Sequence, residues 1–91
     1  MIKVGISGAN GTMGRLTIDA VGKVSDLGIG GLYAPGREGE EILGHKASAD
    51  PAALTGCDVI VEFTNPAAAD ENLPRWCDSG ADVLVGTSGY T

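Results

Sequence analysis

The sequence predicts a parallel α/β fold, and three observations carry that expectation. A short apolar run, Ile2 to Ser7, opens into a glycine-spaced turn, Gly8-Ala9-Asn10-Gly11-Thr12-Met13-Gly14, which leads into an amphipathic helical pattern. Further apolar runs at Leu27 to Ala34, Asp58 to Phe63 and Asp82 to Val85 are each bounded by turn chemistry. These runs are near-continuous Val, Ile and Leu rather than strictly alternating, as strands covered on both faces require.

The first helix is expected to begin near Thr12 or Met13. On a helical wheel Met13, Leu16, Thr17, Ala20, Val21 and Val24 share one side and Arg15, Asp19, Gly22 and Lys23 the other, with Ile18 the one exception. The apolar stripe should face the sheet, and Gly14 should be where the helix passes close to the strand. In the second run Gly28, Gly30 and Gly31 either weaken side-chain packing or admit a neighbouring element at close range.

Between Pro35 and Asp50 periodicity is lost, which reads as a loop with one helical turn at Glu40 to Leu43; His45 is then a loop residue. Asp50-Pro51 looks like a helix cap followed by proline at the first helical position, and Asn65-Pro66 repeats the signal. The second of these helices should run toward Gly80 as a first turn, a disturbance before Pro74 and a second piece carrying Trp76 and Cys77, since an interior proline removes a hydrogen bond and clashes with the preceding turn. About four strands result, with the first strand central, the second on one side, and the Asp58 and Asp82 strands on the other, because crossovers are right-handed. That is an incomplete doubly wound, Rossmann-like sheet.

Ligands in such sheets bind where the strand order reverses. The carboxyl ends there are Ser7-Gly8, Ala34-Pro35, Phe63-Thr64 and Gly86-Thr87, expected to line one crevice. Glycines at positions 8, 11 and 14 leave the turn without β-carbons, so main-chain amides and a helix N-terminus can approach a diphosphate. The spacing is G-x-x-G-x-x-G, one residue longer than the common dinucleotide turn, with Asn10 suited to unusual backbone angles. A nicotinamide dinucleotide would lay its diphosphate on Gly8 to Gly14, its adenosine beyond the second strand and its nicotinamide near Thr64 and Gly86. An acid normally receives the ribose 2′-hydroxyl at the end of the second strand, but Tyr33-Ala34-Pro35-Gly36-Arg37 offers none before Glu38. A 2′-phosphate would meet little repulsion there, and Arg37 is placed to pair with it.

Composition bounds the function. The chain has 91 residues, 6 Lys and Arg against 12 Asp and Glu, a net charge of −6 and a pI near 4.4. Such a balance argues against nucleic acid as a partner. No apolar run reaches the length of a membrane span and no signal-peptide pattern opens the chain, so a cytoplasmic protein is expected. Cys57 and Cys77 form no C-x-x-C pair and no metal site, and are expected to be reduced. Gly86-Thr87-Ser88-Gly89 is not in the order of a nucleophile elbow. The segment Gly39 to Lys46 imitates a phosphate loop only until His45 takes the lysine position. Glu62, within a strand near its carboxyl end, could bond to neighbouring loops or face the site.

Three stretches together resemble the N-terminal domain of the 4-hydroxy-tetrahydrodipicolinate reductase (dihydrodipicolinate reductase) family. They are Ile2 to Arg15, Asp58-Val59-Ile60-Val61-Glu62-Phe63-Thr64-Asn65-Pro66, and Val85-Gly86-Thr87-Ser88-Gly89-Tyr90-Thr91. The resemblance implies an NADPH- or NADH-dependent reductase of lysine and diaminopimelate biosynthesis, acting on a small cyclic substrate. It implies Gly8, Ala9, Asn10, Gly11, Thr12 and Met13 at the diphosphate, Ala34 at the family's ribose-contacting position with Arg37 a candidate replacement for the charge missing there, Phe63 and Thr64 along the cofactor, and Gly86 and Thr87 at the nicotinamide. Ser88 stands where the family's second threonine touches substrate. Two departures are visible: the family's ribose-contacting acid and the arginine after it align with Ala34 and Pro35, and an arginine frequent in the glycine loop is Thr12 here.

The resemblance covers the whole chain but only the opening portion of such an enzyme. Its catalytic motif and the sheet that forms a homotetramer would lie beyond position 91, so no catalytic residue is assigned. Residues 1–91 read as one cofactor domain, not expected to turn over substrate alone. Two other readings stay open: the cofactor domain of a homoserine or aspartate dehydrogenase, and a non-catalytic nucleotide-sensing module.

Overall fold

In the computed structural model, residues 2–9, 11–64 and 66–86 are described. Strand β1 (Ile2–Ser7) is followed by helix α1 (Thr12–Gly22), β2 (Leu27–Tyr33), β3 (Glu41–Ile42), β4 (His45–Ser48), a short 3-10 helix (Pro51–Leu54), β5 (Val59–Glu62), α2 (Pro66–Asp78) and β6 (Asp82–Val85). They build one six-stranded sheet in the order β3-β4-β2-β1-β5-β6. Every neighbouring pair is parallel except β3 with β4. The expected central β1, with β2 on one side and β5 and β6 on the other, is what the fold shows.

Alternate residues of the strands feed two cores, one on each face. Val4, Ile6, Leu32 and Val61 pack with Ile18 and Val21 of α1, while Tyr33 and Ile60 pack with Leu54, Cys57 and Trp76 on the opposite face. Burial on both faces explains the unbroken apolar runs. The β2 glycines admit close neighbours. The register of β1 against β2 slips between Val4 and Gly5, leaving Gly30 as an extra residue. A β-carbon at Gly30 would lie 2.7 Å from Cys57 Sγ, and one at Gly31 would overlap the Ala53 carbonyl. Asp50 caps the 3-10 helix, accepting from the Ala52 amide at 2.9 Å.

Three expectations change. The loop read between Pro35 and Asp50, with a helical turn at Glu40 to Leu43, is instead the β3–β4 hairpin, which raises the strand number from about four to six. His45 opens β4 rather than lying in a loop. Leu43 (φ 50°) and Gly44 (φ 87°) both occupy the left-handed region, as a tight two-residue hairpin turn demands. Leucine is a rare choice at such a position, and that concealed the turn.

The buried face of α1 is also different. Gly14, Ile18 and Val21 point inward, whereas Leu16 is 57% exposed and Met13, Ala20 and Val24 are exposed too. Ile18, the apparent exception, is the core residue. Gly14 sets this rotation: its own β-carbon would lie 2.5 Å from the Gly8 carbonyl oxygen and 2.8 Å from Ala9 Cα, so this face is pressed against the turn and positions four and seven further on follow it inward.

Finally, α2 runs unbroken through Pro74 rather than as two pieces. Asn72 and Trp76, on either side of the proline, both bond to Glu62 of β5 and hold the two turns to one strand. Gly80 (φ 85°) follows the helix end as expected. No helix among the described residues is long and apolar enough to cross a membrane.

The rotation of α1 is testable by unfolding in urea. Ile18→Ala should cost about 2 to 5 kcal/mol, and Leu16→Ala should stay within about 0.5 kcal/mol. Equal losses would place the helix as the wheel alone suggested.

Candidate functional site

The crevice is built where β1, β2, β5 and β6 end. After Ser7 the chain turns at Gly8 (φ 84°), a left-handed conformation open to glycine, and a β-carbon there would lie 2.9 Å from the Phe63 carbonyl carbon and oxygen. The turn is held from below. The Tyr33 carbonyl accepts the Gly8 amide at 2.9 Å and the Ala9 amide at 3.5 Å, and the Gly8 carbonyl accepts the Gly11 amide at 3.1 Å. These donors are spent on the turn itself and are not offered to a ligand.

What remains open is the first turn of α1. Helix geometry gives the first N–H groups no intrahelical acceptor. Gly11 caps the helix without a side-chain bond, and Gly11, Thr12 and Met13 are exposed. A β-carbon on Gly11 would meet nothing nearer than the Gly8 carbonyl at 3.5 Å, so the space above the helix start is clear. Partial positive charge at a helix start, free donors and an unobstructed approach are the attributes of an anion site. The residues therefore fit a diphosphate, chiefly through Thr12 and Met13 rather than evenly from Gly8 to Gly14.

The remaining site candidates fall as follows. Ala9 is buried. Ala34 is buried, donating its amide to Ser48 at 2.9 Å and accepting from the Arg37 amide at 3.0 Å. Arg37 lies beyond it, 60% exposed and 3.8 Å from Glu40, which Arg15 of α1 also approaches at 3.5 Å. Phe63 packs its ring against Gly86, where a β-carbon would enter that ring, and Thr64 Cγ2 would lie 3.2 Å from a β-carbon on Gly8. Gly8, Phe63, Thr64 and Gly86 are thus brought together. Asn10, Asn65, Thr87, Ser88 and Tyr90 lie outside the described residues.

Sequence reasoning left the role of Glu62 open and missed its partners. The carboxylate is fully buried, accepting from the Thr64 hydroxyl, from Asn72 Nδ2 at 3.2 Å and from Trp76 Nε1 at 2.7 Å. Trp76 meets the Tyr33 ring edge-on at 5.5 Å, and Tyr33 is the residue whose carbonyl holds the glycine turn. An acid inside the run Val-Ile-Val-Glu-Phe was the signal; Ala69, Asn72 and Trp76 at helical spacing on α2 were the complementary one. Arg15 and Glu40 were missed because only the hairpin brings Glu40 back to α1. Ser7 Oγ, at the end of β1, is buried with no hydrogen-bond partner.

Cys57 is buried and Cys77 exposed, and both are free thiols. Burial pushes the Cys57 thiol above its ordinary 9.0, the Asp58 charge adds to this, and Lys3 opposes it.

Parallel strands with helices on both faces and an open helix start at the switch point define a Rossmann-like α/β fold. Solved structures of that fold are similar. Aspartate semialdehyde dehydrogenase with NADP from Candida albicans superposes with a TM-score of 0.85 at 19% identity, over 99% of this chain and 30% of the other. Aspartate semialdehyde dehydrogenase II from Vibrio cholerae gives 0.72 at 19%, over 97% and 31%. The chain belongs to the dihydrodipicolinate reductase N-terminal family, which it matches over residues 2–91. Curated relatives named 4-hydroxy-tetrahydrodipicolinate reductase include those of Bifidobacterium longum subsp. infantis, 36% identical over all of this chain and 32% of the relative, and of Streptococcus mutans, 36% identical over 99% and 36%. That of Acinetobacter baumannii is 32% identical over 98% of this chain and 37% of its own. The chain spans about a third of the length of these relatives.

Two expected outcomes follow from this geometry. Gly14→Ala should lower stability by about 1 to 3 kcal/mol, because its methyl group would press on backbone and not on a yielding side chain; an unchanged urea midpoint would show that the turn gives way freely. Raising Cys57 above its unfolded value favours the neutral thiol in the fold, so this contribution is full below pH 9.0 and is lost as pH rises through the elevated native value. Urea midpoints measured across that alkaline range should fall less for Cys57→Ala than for the unaltered chain.

Proposed function

We propose that this chain is the nicotinamide-cofactor domain of a 4-hydroxy-tetrahydrodipicolinate reductase. The observation that carries the reading is the open, uncapped first turn of α1 at the end of the central strand, with β-carbons missing at Gly8, Gly11 and Gly14. Family membership supplies the reaction class, and the local chemistry is compatible with it. The amides of Thr12 and Met13 bind the diphosphate, Phe63 and Thr64 run beside the nicotinamide half, and Gly86, whose missing side chain lets the Phe63 ring pack against it, lies at the same end.

When bound, a reduced nicotinamide supplies a hydride to the small cyclic substrate. This chain's described residues bind and orient it. Thr87 and Ser88 are assigned to the nicotinamide and substrate end on the family pattern, and the substrate-binding half and homotetramer contacts to the remainder of a longer enzyme. Such an enzyme would work in the cytoplasm without a nucleic-acid partner.

NADPH is the favoured reductant in this reading. No carboxylate stands at the end of β2 to receive a 2′-hydroxyl, and Arg37 lies three residues past Ala34. Its pairing with Glu40 is at the surface, where such pairs contribute about 0 to 1 kcal/mol, so exchanging that partner for a phosphate dianion costs little.

Calorimetric titration of the chain with NADPH and NADH tests the reading. Gly11→Asp is the decisive variant. Aspartate is a favoured cap and Gly11 has extended backbone angles and open space, so stability should hold or rise while the added charge repels the diphosphate and weakens binding at least tenfold. Absence of heat with either cofactor at about 1 mM would reject the assignment. Arg37→Glu should weaken NADPH about tenfold while sparing NADH; equal losses for both would remove Arg37 from the site.

A further inference from the structure

Two arginines converge on one carboxylate beside the start of α1. Glu40 Oε1 lies 3.5 Å from Arg15 of α1 and Oε2 lies 3.8 Å from Arg37 of the β2–β3 connection, so each oxygen meets a different guanidinium. The backbone of Glu40 is held on both sides, its amide donating to the Arg37 carbonyl at 3.0 Å and its carbonyl accepting from the Ala47 amide at 2.9 Å. The hairpin therefore sets where this carboxylate stands. Both ion-pair separations exceed the roughly 2.7 to 2.9 Å of a close charge-assisted hydrogen bond. Water reaches all three side chains, which are 48% exposed for Arg15, 60% for Arg37 and 36% for Glu40.

The cluster lies where β2 ends. The Arg37 amide donates to the Ala34 carbonyl at 3.0 Å, and Arg15 closes the first turn of α1, its amide donating to the Gly11 carbonyl at 3.0 Å. The charged ends of the side chains make the contact that joins helix and connection. Two guanidiniums facing separate oxygens of one carboxylate already form an anion site, and an acid of the chain itself occupies it. A phosphate monoester brings three acceptor oxygens and a charge of about −1.5 to −2, against one unit on a carboxylate.

We infer that Glu40 is a built-in competitor for the 2′-phosphate of NADPH, and that Arg15 is a second cation for that phosphate beside Arg37. On binding, the phosphate takes the place of the Glu40 carboxylate between the two arginines. The inference rests on the proposed function, which lays the adenosine ribose at the end of β2, and it adds to that reading both a further cation and the acid that opposes the ligand. Because the existing pairs are long and exposed, breaking them takes little, while the incoming dianion gains closer contacts to both guanidiniums. NADH carries a hydroxyl in place of the phosphate and displaces nothing, so Arg15 and Glu40 act on the choice between reductants and leave the binding of the diphosphate as it is.

The test is calorimetric titration of the unaltered chain and of Arg15→Gln, Glu40→Gln and Glu38→Gln with NADPH, NADH and 2′,5′-ADP, which keeps the 2′-phosphate but lacks the nicotinamide. Arg15→Gln should weaken NADPH and 2′,5′-ADP about tenfold, Glu40→Gln should tighten both about threefold, and NADH should stay within about twofold in each. Glu38→Gln removes the same charge two residues away and should leave all three ligands as they were. Unaltered NADPH affinity in Arg15→Gln, no tightening in Glu40→Gln, or NADH changing in parallel with NADPH would overturn the inference. Tightening by Glu38→Gln equal to that by Glu40→Gln would overturn it too, since net charge alone would then explain the effect. Arg15 and Glu38 are exposed and Glu40 is only partly buried, so the fold should hold, and emission from Trp76, the sole tryptophan, checks this for each variant. An unaltered chain that binds neither NADPH nor NADH rejects the cofactor reading itself, whereas one that binds both and is indifferent to Arg15→Gln rejects only the roles given to Arg15 and Glu40.

Discussion

The structure depends on a close approach of backbone at the start of α1. Gly14 lies against Gly8 and Ala9, and Gly8 against the Phe63 carbonyl, at separations where any side chain would intrude. Three segments distant in sequence, the end of β1, the start of α1 and the end of β5, therefore meet without intervening side chains. That contact fixes which face of α1 is buried, and with it where the exposed first helical turn begins. The packing of α1 and the open space at its start are consequences of the same missing atoms.

How much of this was legible depended on whether the signal was local. Strands β1, β2, β5 and β6 were readable because each is a short apolar run bounded by turn residues, a signal that needs no knowledge of its neighbours and that holds even for β6, which lies exposed at the sheet edge. The hairpin was not, because Leu43-Gly44 makes its turn with a residue that seldom takes positive φ, and β4 pairs with β2 only through Leu32 and Tyr33. The rotation of α1 was misread for a related reason. Hydrophobicity counted Met13 and Leu16 as inward, but the tertiary contact at Gly14 overrode the stripe. Of the candidate site, the glycine turn was visible in the spacing, while the use of its amides was not: those of Gly8 and Ala9 bond to the Tyr33 carbonyl, and Thr12 and Met13 stay exposed at the helix start.

The second face of the sheet supports the crevice from below. Tyr33 links both levels, with its carbonyl under the glycine turn and its ring against Trp76. Trp76 in turn bonds to Glu62, whose own amide plane continues into the ladder, the Glu62 carbonyl accepting from the Gly86 amide at 2.8 Å. The two sides of the crevice, turn and β6 end, are thus tied through residues that never face it. This also accounts for the continuity of α2 across Pro74, since one lost backbone bond is offset where side chains on both sides are anchored to the same carboxylate.

For a chain of net charge −6 the overall field opposes an approaching anion, so charge within the fold has to be settled by local geometry. Two acids illustrate how the structure separates these demands. Glu62 is enclosed and bonded to Thr64, Asn72 and Trp76, so its partners are fixed within the protein; removing one would leave a buried polar group uncompensated. Glu40 lies at the surface between Arg15 and Arg37, where water screens each pairing and exchange is cheap. The first arrangement holds β5 and α2 together at one buried point, the second ties α1 to the β2–β3 connection only weakly. Burial, more than the identity of the side chain, decides which of these two tasks each carboxylate can perform.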